Sequence, residues 1–302
     1  MTTHVAVLMG GWSVERDVSL VSGKACAKAL AAHGYRVSEV DVGRDIAAVL
    51  ACLTPDVAFN ALHGRWGEDG CVQGLLEILQ LPYSHSGVRA SAVAMNKPLA
   101  KEVFQRSGIA CADGITVSLA EARREVPMAP PFVVKPPEEG STIGVRIVKP
   151  GDNVDPFIDW RYGDEVMFER YVPGLELSVA VMADRALGVV EIEPLSGFYD
   201  YEAKYTDGKA VHHIPARVPE SVSERAMAWA LAAHQALGCR GVSRADFRYD
   251  DAEGAGRGLY ILEVNTQPGM TPLSIVPEIA AHQGIGFEDL VAWMVEDAGC
   301  DR

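Results

Sequence analysis

Residues 4–9, apolar without a break from Val5 on, predict a short buried strand, and apolar residues then recur at helical spacing from Val18 to Ala32. Gly34 ends that helix, and Tyr35–Val42 reads as a second strand. A third, Val57–Leu62, runs into a glycine-rich turn before Val72–Leu79 resumes the helical period. Strand, glycine-rich turn, helix and strand build an open parallel sheet, whose ligands bind where strand C-termini meet helix N-termini. The loops around Glu15 and His63 are therefore expected to face one crevice. Neither fits Gly-x-Gly-x-x-Gly, so a strict dinucleotide site is unsupported.

Beyond a turn-rich break at 81–87, a boundary is expected near residue 93, followed by a helix from Asn96-Lys97-Pro98 to about Ser107. Phe132–Lys135 reads as a strand, and residues 136–146 form a Gly/Ser/Thr loop between two strands. Backbone amides in such a loop can cradle phosphate oxygens with Lys135 beside them, although Gly-Ser-Thr hairpins without a ligand are common. Strands follow at Glu165–Val172, Leu177–Met182 and Leu187–Ile192. Residues 195–209 break all periodicity, as a closing lid does, and carry three tyrosines and Lys204. His212 and His213 lack metal-like spacing and read as surface or packing residues. Ser221–Leu237 is an amphipathic helix, and Phe287–Ala298 a closing one.

The stretch with the clearest alternation is Leu259–Asn265, which turns abruptly at Pro268-Gly269. Glu263 and Asn265 then share one face at a strand end. Arg244–Tyr249 is strand-like too, and the polar glycine-rich segment 250–258 closes a hairpin in which Asp246 pairs roughly with Glu263. Oxygen side chains converging on one face suit a hard cation such as phosphate-bound Mg²⁺. The pattern fits equally a solvated hairpin with charges on its outer face.

Composition narrows the partners. With a net charge of −14, the chain repels nucleic acid and anionic membranes, so neither is expected as a partner, and an anionic nucleotide would need local lysines and a metal. The six cysteines form no Cys-x-x-Cys pair and read as dispersed thiols of a reducing compartment. No apolar run approaches membrane-spanning length and the N-terminus reads as a strand, so a cytoplasmic location is expected.

Lys97, Lys135, a phosphate-cradling loop, a lid with Lys204 and a carboxylate cluster together match the use of MgATP without a P-loop. Five stretches carry a specific likeness: Gly10-Gly-Trp-Ser-Val-Glu-Arg-Asp-Val-Ser-Leu20, Ala61-Leu-His-Gly-Arg-Trp-Gly-Glu-Asp-Gly70, Val134-Lys-Pro-Pro-Glu-Glu-Gly-Ser141, Phe198-Tyr-Asp-Tyr-Glu-Ala-Lys-Tyr205 and Leu262-Glu-Val-Asn-Thr-Gln-Pro-Gly-Met270. In these the chain resembles the D-alanine–D-alanine ligases of the ATP-grasp superfamily, in the family's order and over nearly its whole length. Trp66 and Gln267 depart from the residues common in that family without occupying a catalytic position.

The resemblance implies an α/β (α+β) ATP-grasp fold. Its parts would be an N-terminal parallel-sheet, Rossmann-like unit (1–93), a central subdomain (94–175) and a C-terminal subdomain (176–302) with a lid at 195–210. It implies ATP-dependent formation of D-alanyl-D-alanine for peptidoglycan precursors, through a D-alanyl phosphate. ATP would meet Lys97, Lys135, Lys204 and Phe198, the strand Glu169-Arg170-Tyr171-Val172 at its adenine and Glu176 at its ribose. Asp246, Glu263 and Asn265 would hold two Mg²⁺ ions, with Mn²⁺ possible. The first D-alanine would be held by Glu15 with His63 nearby. Arg244 and the Gly269 amide would face the oxyanion, Ser274 and Ile275 the second D-alanine, and Ser141 and Tyr205 would join Glu15 in closing the lid. A homodimer is implied by the family alone. Rival readings are a D-alanine–D-lactate ligase, another dipeptide ligase of the ATP-grasp type, and a nucleotide-binding regulator without catalysis.

Overall fold

A computed structural model describes residues 2–140, 142–153, 155–195, 209–254, 257–271 and 274–301. The chain opens with β1 (His4–Met9), α1 (Arg16–Ala32), β2 (Arg36–Asp41), α2 (Ile46–Leu53), β3 (Val57–Asn60) and α3 (Cys71–Ile78). These strands form a parallel sheet in the order β2-β1-β3, as the strand–turn–helix alternation predicts. The central β1 is buried along its whole length, which is why its sequence is apolar from Val5 to Met9, and buried His4 meets Ser38 Oγ at 2.9 Å. Its side chains alternate between two cores: Ala6 and Leu8 pack with Ile46, Leu50 and Leu76, while Val5, Val7 and Met9 pack with Leu30, Val276, Leu290 and Met294. The second core joins the start of the chain to its end.

Next come α4 (Val88–Met95), α5 (Lys97–Arg106), β4 (Gly114–Ser118), α6 (Leu119–Arg124), β5 (Phe132–Lys135), β6 (Arg146–Val148) and β7 (Glu165–Arg170). Asn96 caps α5 by accepting the Leu99 N–H at 3.1 Å, with Pro98 in the first turn where its missing donor costs nothing. The four strands form an antiparallel sheet in the order β4-β7-β5-β6. The last group is β8 (Leu175–Met182), β9 (Arg185–Pro194), β10 (Ala210–His213), α7 (Glu220–Leu237), β11 (Val242–Tyr249), β12 (Leu259–Asn265), α8 (Ile275–His282) and α9 (Phe287–Glu296). Here the sheet order is β10-β9-β8-β11-β12, all neighbours antiparallel. Helix α7 covers it through Val222, Ala226, Ala230 and Ala233, and stops at Gly238, whose φ of 76° is the left-handed conformation that closes helices. Among the described residues no helix is long and apolar enough to cross a membrane.

Several elements escape the sequence pattern for physical reasons. Helix α2 is apolar nearly all round (Ile46-Ala-Ala-Val-Leu-Ala-Cys-Leu53), so it has no polar face to set a period. Strand β4 lies at a sheet edge, is half-exposed and shows no alternation. Helix α6 is only six residues long, although its Ser118–Glu121 capping box was readable.

Candidate functional site

The hairpin of β11 and β12 has the expected register: Asp246 pairs with Glu263 and Arg244 with Asn265, with a bulge just after Asp246. Asp246 is buried and accepts from Ser178 Oγ at 2.6 Å and from Arg244 Nε and Nη2 at 2.8 and 2.7 Å. Glu263 Oε2 lies 3.5 Å from Lys97 Nζ. Asn265 Oδ1 accepts the Gln267 N–H at 2.8 Å, which fixes the amide's orientation at the strand end. Two carboxylates and an amide oxygen on paired strands, opposed by one guanidinium and one ammonium, are a donor set that fits a hard divalent cation. Asp246, Glu263 and Asn265 could hold one.

Lysines converge opposite the hairpin. Lys97, at the start of α5, donates to Glu139 O at 2.5 Å, and its own N–H reaches Pro137 O at 3.0 Å, so the 136–140 loop rests on this helix end. One turn on, Lys101 donates to Glu169 Oε1 and to Ala112 O, both at 2.5 Å. Lys135 Nζ pairs with the other oxygen of Glu169. The side chains of Lys97, Lys101, Lys135 and Glu169 are at most 8% exposed, and Glu263 is more open at 28%. Burial pushes the Lys97 ammonium below its ordinary pKa, with Glu263 opposing and Lys135 reinforcing the shift. Burial also works against the Glu169 carboxylate, but the ammoniums of Lys135 and Lys101 outweigh it and hold that group below its usual range. Lys101 is absent from the sequence-derived site. Its position four residues after Lys97, on the same helix face, was the available signal.

The β7–β8 connection is pinned from β11. Arg248 donates to Val172 O at 3.1 Å and Gly174 O at 2.8 Å, and its Nη1 lies 3.6 Å from Glu176 Oε2. Arg170 turns outward over the Tyr260 ring, 4.8 Å from its centroid, and Tyr171 N–H bonds Pro131 O at 3.3 Å.

The two loops of the parallel sheet meet as expected. Ser13 Oγ donates to His63 O at 2.7 Å, and Glu15 is buried against Gly64, whose φ is 70°. Gly140, on the 136–140 loop, also approaches Glu15: a methyl there would lie 3.5 Å from Oε2. His63 is buried with Nδ1 3.1 Å from Glu68 Oε1 and Nε2 3.0 Å from Ser22 Oγ. A carboxylate only accepts, so Nδ1 carries the proton and Nε2 accepts from the serine when the ring is neutral. Asp69 structures the turn by accepting the N–H groups of Trp66 and Cys71, both at 3.0 Å. Across the molecule, buried Gln267 accepts from Asn60 Nδ2 at 2.6 Å and donates to Leu62 O, tying this turn to the hairpin end. Past that end, a methyl on Gly269 would lie 3.0 Å from Ser274 Oγ, so Gly269 sits beside the N-terminus of α8, which Ile275 opens. Ser141, Phe198, Lys204 and Tyr205 lie outside the described residues.

His212 and His213 have carboxylate partners that linear spacing hides: Glu278 on α8 at 2.5 Å and Glu193 on β9 at 2.8 Å. Glu191, Glu193 and His213 cluster closely enough to ligate a metal, but Arg217 already donates to both carboxylates.

Two family models match the chain: the C-terminus of D-ala D-ala ligase over residues 104–296 and its N-terminus over 45–86. The D-alanine–D-alanine ligase of Parvibaculum lavamentivorans is 57% identical over 99% of this chain and 98% of its own, and that of Methylorubrum populi is 57% identical over the whole of both. The chain belongs to the D-alanine–D-alanine ligase family. Among solved structures, the Bacillus anthracis D-alanine–D-alanine ligase complexed with ATP superposes with a TM-score of 0.82 at 29% identity, covering 98% and 97% of the two chains. The VanG D-Ala:D-Ser ligase of Enterococcus faecalis gives 0.78 at 25% identity, covering 98% and 99%. The fold is thus the ATP-grasp fold of this ligase family, with its parallel sheet first and its two antiparallel sheets after it.

Gly64→Ala tests the meeting of the two loops. The added methyl collides with Glu15 and the residue must hold a positive φ, so the KM for the first amino acid should rise about tenfold or more while that for ATP stays unchanged. Steady-state kinetics with each substrate varied in turn reads this out, and an unchanged amino-acid KM would place the substrate elsewhere.

Proposed function

We propose that the chain joins two D-alanines into D-alanyl-D-alanine at the expense of ATP, as a cytoplasmic homodimer supplying peptidoglycan precursors. The observation that carries the reading is the register of Asp246 with Glu263 beside Lys97, in a chain so similar throughout its length to ligases of that name. Three units, 1–93, 94–175 and 176–302, would share the work. ATP lies between the second and third. Lys97 and Lys135 meet its phosphates, the backbone of Glu169–Val172 its adenine and Glu176 its ribose, with Phe198 and Lys204 contributing from the 195–210 segment. Because the Glu169 carboxylate is engaged by Lys101 and Lys135, it orients Lys135. Asp246, Glu263 and Asn265 would hold Mg²⁺ or Mn²⁺, which when bound neutralises phosphate charge.

Glu15 takes the ammonium of the first D-alanine, held in place by the Ser13–His63 contact, and His63 lies nearby. The substrate carboxylate oxygen attacks the γ-phosphorus, the bond to the β-phosphate bridging oxygen breaks, and ADP leaves. The resulting acyl phosphate turns a poor leaving group into a good one. The neutral amine of the second D-alanine, its carboxylate at Ser274 and the Ile275 amide, attacks the carbonyl carbon. Arg244 and the Gly269 N–H stabilise the oxyanion, and phosphate departs as the peptide bond forms and the nitrogen gives up one proton. Closure of Ser141 and Tyr205 over Glu15 keeps water from the acyl phosphate.

The test is a substrate panel scored by phosphate release from MgATP. D-Alanine alone should support release with D-alanyl-D-alanine as product. Release only when D-serine or D-lactate accompanies D-alanine would replace this reading with a mixed-substrate ligase, and release with L-amino acids alone would replace it with an L-dipeptide ligase.

A further inference from the structure

Beside the two substrate loops lies a cavity that the ligation does not use. It holds about 170 Å³. Buried Ile46, Leu62 and Val72 line it together with Leu75, and the half-open Trp12 and Trp66 flank it. That volume is comparable to an apolar cavity of about 150 Å³ that binds benzene. The lining is almost wholly apolar, so it does not suit a zwitterion such as D-alanine. Ser13 and His63 also line it, but their polar atoms are engaged: Ser13 Oγ donates to His63 O, and the His63 ring meets Ser22 and Glu68, while Glu15 faces Gly64 and Gly140.

Two further features point to a ligand with a charge. Arg65 lines the cavity with its guanidinium 4.9 Å from the Trp66 ring centroid, and Arg44 lies 5.2 Å from that of Trp12. Among the described residues neither arginine is in an ion pair, in a chain whose net charge is −14. The tryptophan rings are 6.0 Å apart and tilted by 43°, bridging the two loops. Trp66 has a φ of 77°, a left-handed conformation a side chain of this size rarely adopts, and Asp69 holds it there through the Trp66 N–H. Strain of this kind gathers at ligand clamps.

We propose that this cavity binds a small aromatic carboxylate, with the ring among Ile46, Leu62, Val72 and Leu75 and the carboxylate at Arg65, and that occupancy weakens binding of the first amino acid. The second half rests on the roles proposed for Glu15 and His63. The loops at 10–15 and 62–67 wall the cavity and also carry those residues, so a ring that spreads Trp12 from Trp66 shifts Glu15 relative to Gly64.

The probe is 4-fluorobenzoate, observed by fluorine NMR with the full-length enzyme. Saturable line broadening is expected, with affinity about tenfold weaker in Leu75→Trp, which fills the cavity, and retained in Leu75→Met. Thermal unfolding establishes that each variant is folded. An independent readout needs no variant: Cys71, exposed and lining the cavity, should be protected from N-ethylmaleimide by the probe, while exposed Cys52 is not. No broadening with the wild type, or equal binding in folded Leu75→Trp, would overturn the site. Equal binding of 4-fluorobenzyl alcohol would overturn the carboxylate assignment. Binding with an unchanged KM for D-alanine would overturn the coupling, and Glu15→Gln, expected to raise that KM by itself, tells this apart from an error in the role of Glu15.

Discussion

Glu263→Gln should lower kcat by at least about a hundredfold, more than the loss typical when a group merely supporting a metal ligand is removed. The substitution keeps volume but exchanges one acceptor oxygen for a donor NH2 and deletes the charge that faces Lys97 at 3.5 Å and stands opposite Asp246 across the hairpin. Folding should be little affected. The side chain is 28% exposed, and a partly solvated ion pair contributes roughly 1 kcal/mol or less. A second effect follows from Lys97, whose ammonium burial already disfavours and which loses the carboxylate opposing that shift. Turnover by ADP release, a Mg²⁺ and Mn²⁺ activation curve, and a urea midpoint separate the contributions. Near wild-type kcat at ordinary Mg²⁺ would remove the hairpin from the metal site.

Glu169→Gln should act in the opposite proportion, on the fold first. Its carboxylate sits in a buried place between Lys101 and Lys135, and neutralising it leaves two buried ammoniums facing each other. Breaking a buried pair from one side costs about 3–5 kcal/mol, and Lys101→Met added to Glu169→Gln should return part of that by removing one uncompensated charge. The pH dependence carries a sign. Because the folded-state pKa of Glu169 is depressed, its contribution is complete above the ordinary carboxylate range and is lost as pH falls through the folded value below that range. The wild type should therefore lose stability on acidification more steeply than the variant, as read from urea midpoints at a series of pH values. Parallel curves would show that Glu169 is not the charge that Lys101 and Lys135 stabilise.

How much of this was legible in the chain depended on range. The hairpin was readable to the residue pair, since Glu263 and Asn265 stand two apart at the end of an apolar strand and folding about the glycine-rich midpoint sets Asp246 against Glu263. The uninterrupted apolar run of β1 and the glycine stop of α1 were likewise local signals. What stayed hidden was set by contacts between distant segments. Gln267 looked like a departure from a family pattern, and only the fold shows its amide between Asn60 and Leu62. Arg248 reads as one more alternating polar residue of a strand, yet it grips the carbonyls of Val172 and Gly174. The partners of His212 and His213 lie on an antiparallel neighbour and a later helix, so no spacing rule along the chain could pair them.

The bridge made by Gln267 also bears on how relatives of this chain can be recombined. Its side chain spans exactly one amide donor and one backbone carbonyl from the other end of the sequence, so a chimera that takes residues 1–93 from one parent and the rest from another inherits half of a matched pair. A shorter residue at 267 leaves the buried Asn60 amide with one partner fewer, while its Gly67 bond at 3.1 Å persists. Functional hybrids should accordingly be recovered mainly when positions 60 and 267 come from the same parent, which makes the pair a compatibility determinant between the two ends of the chain.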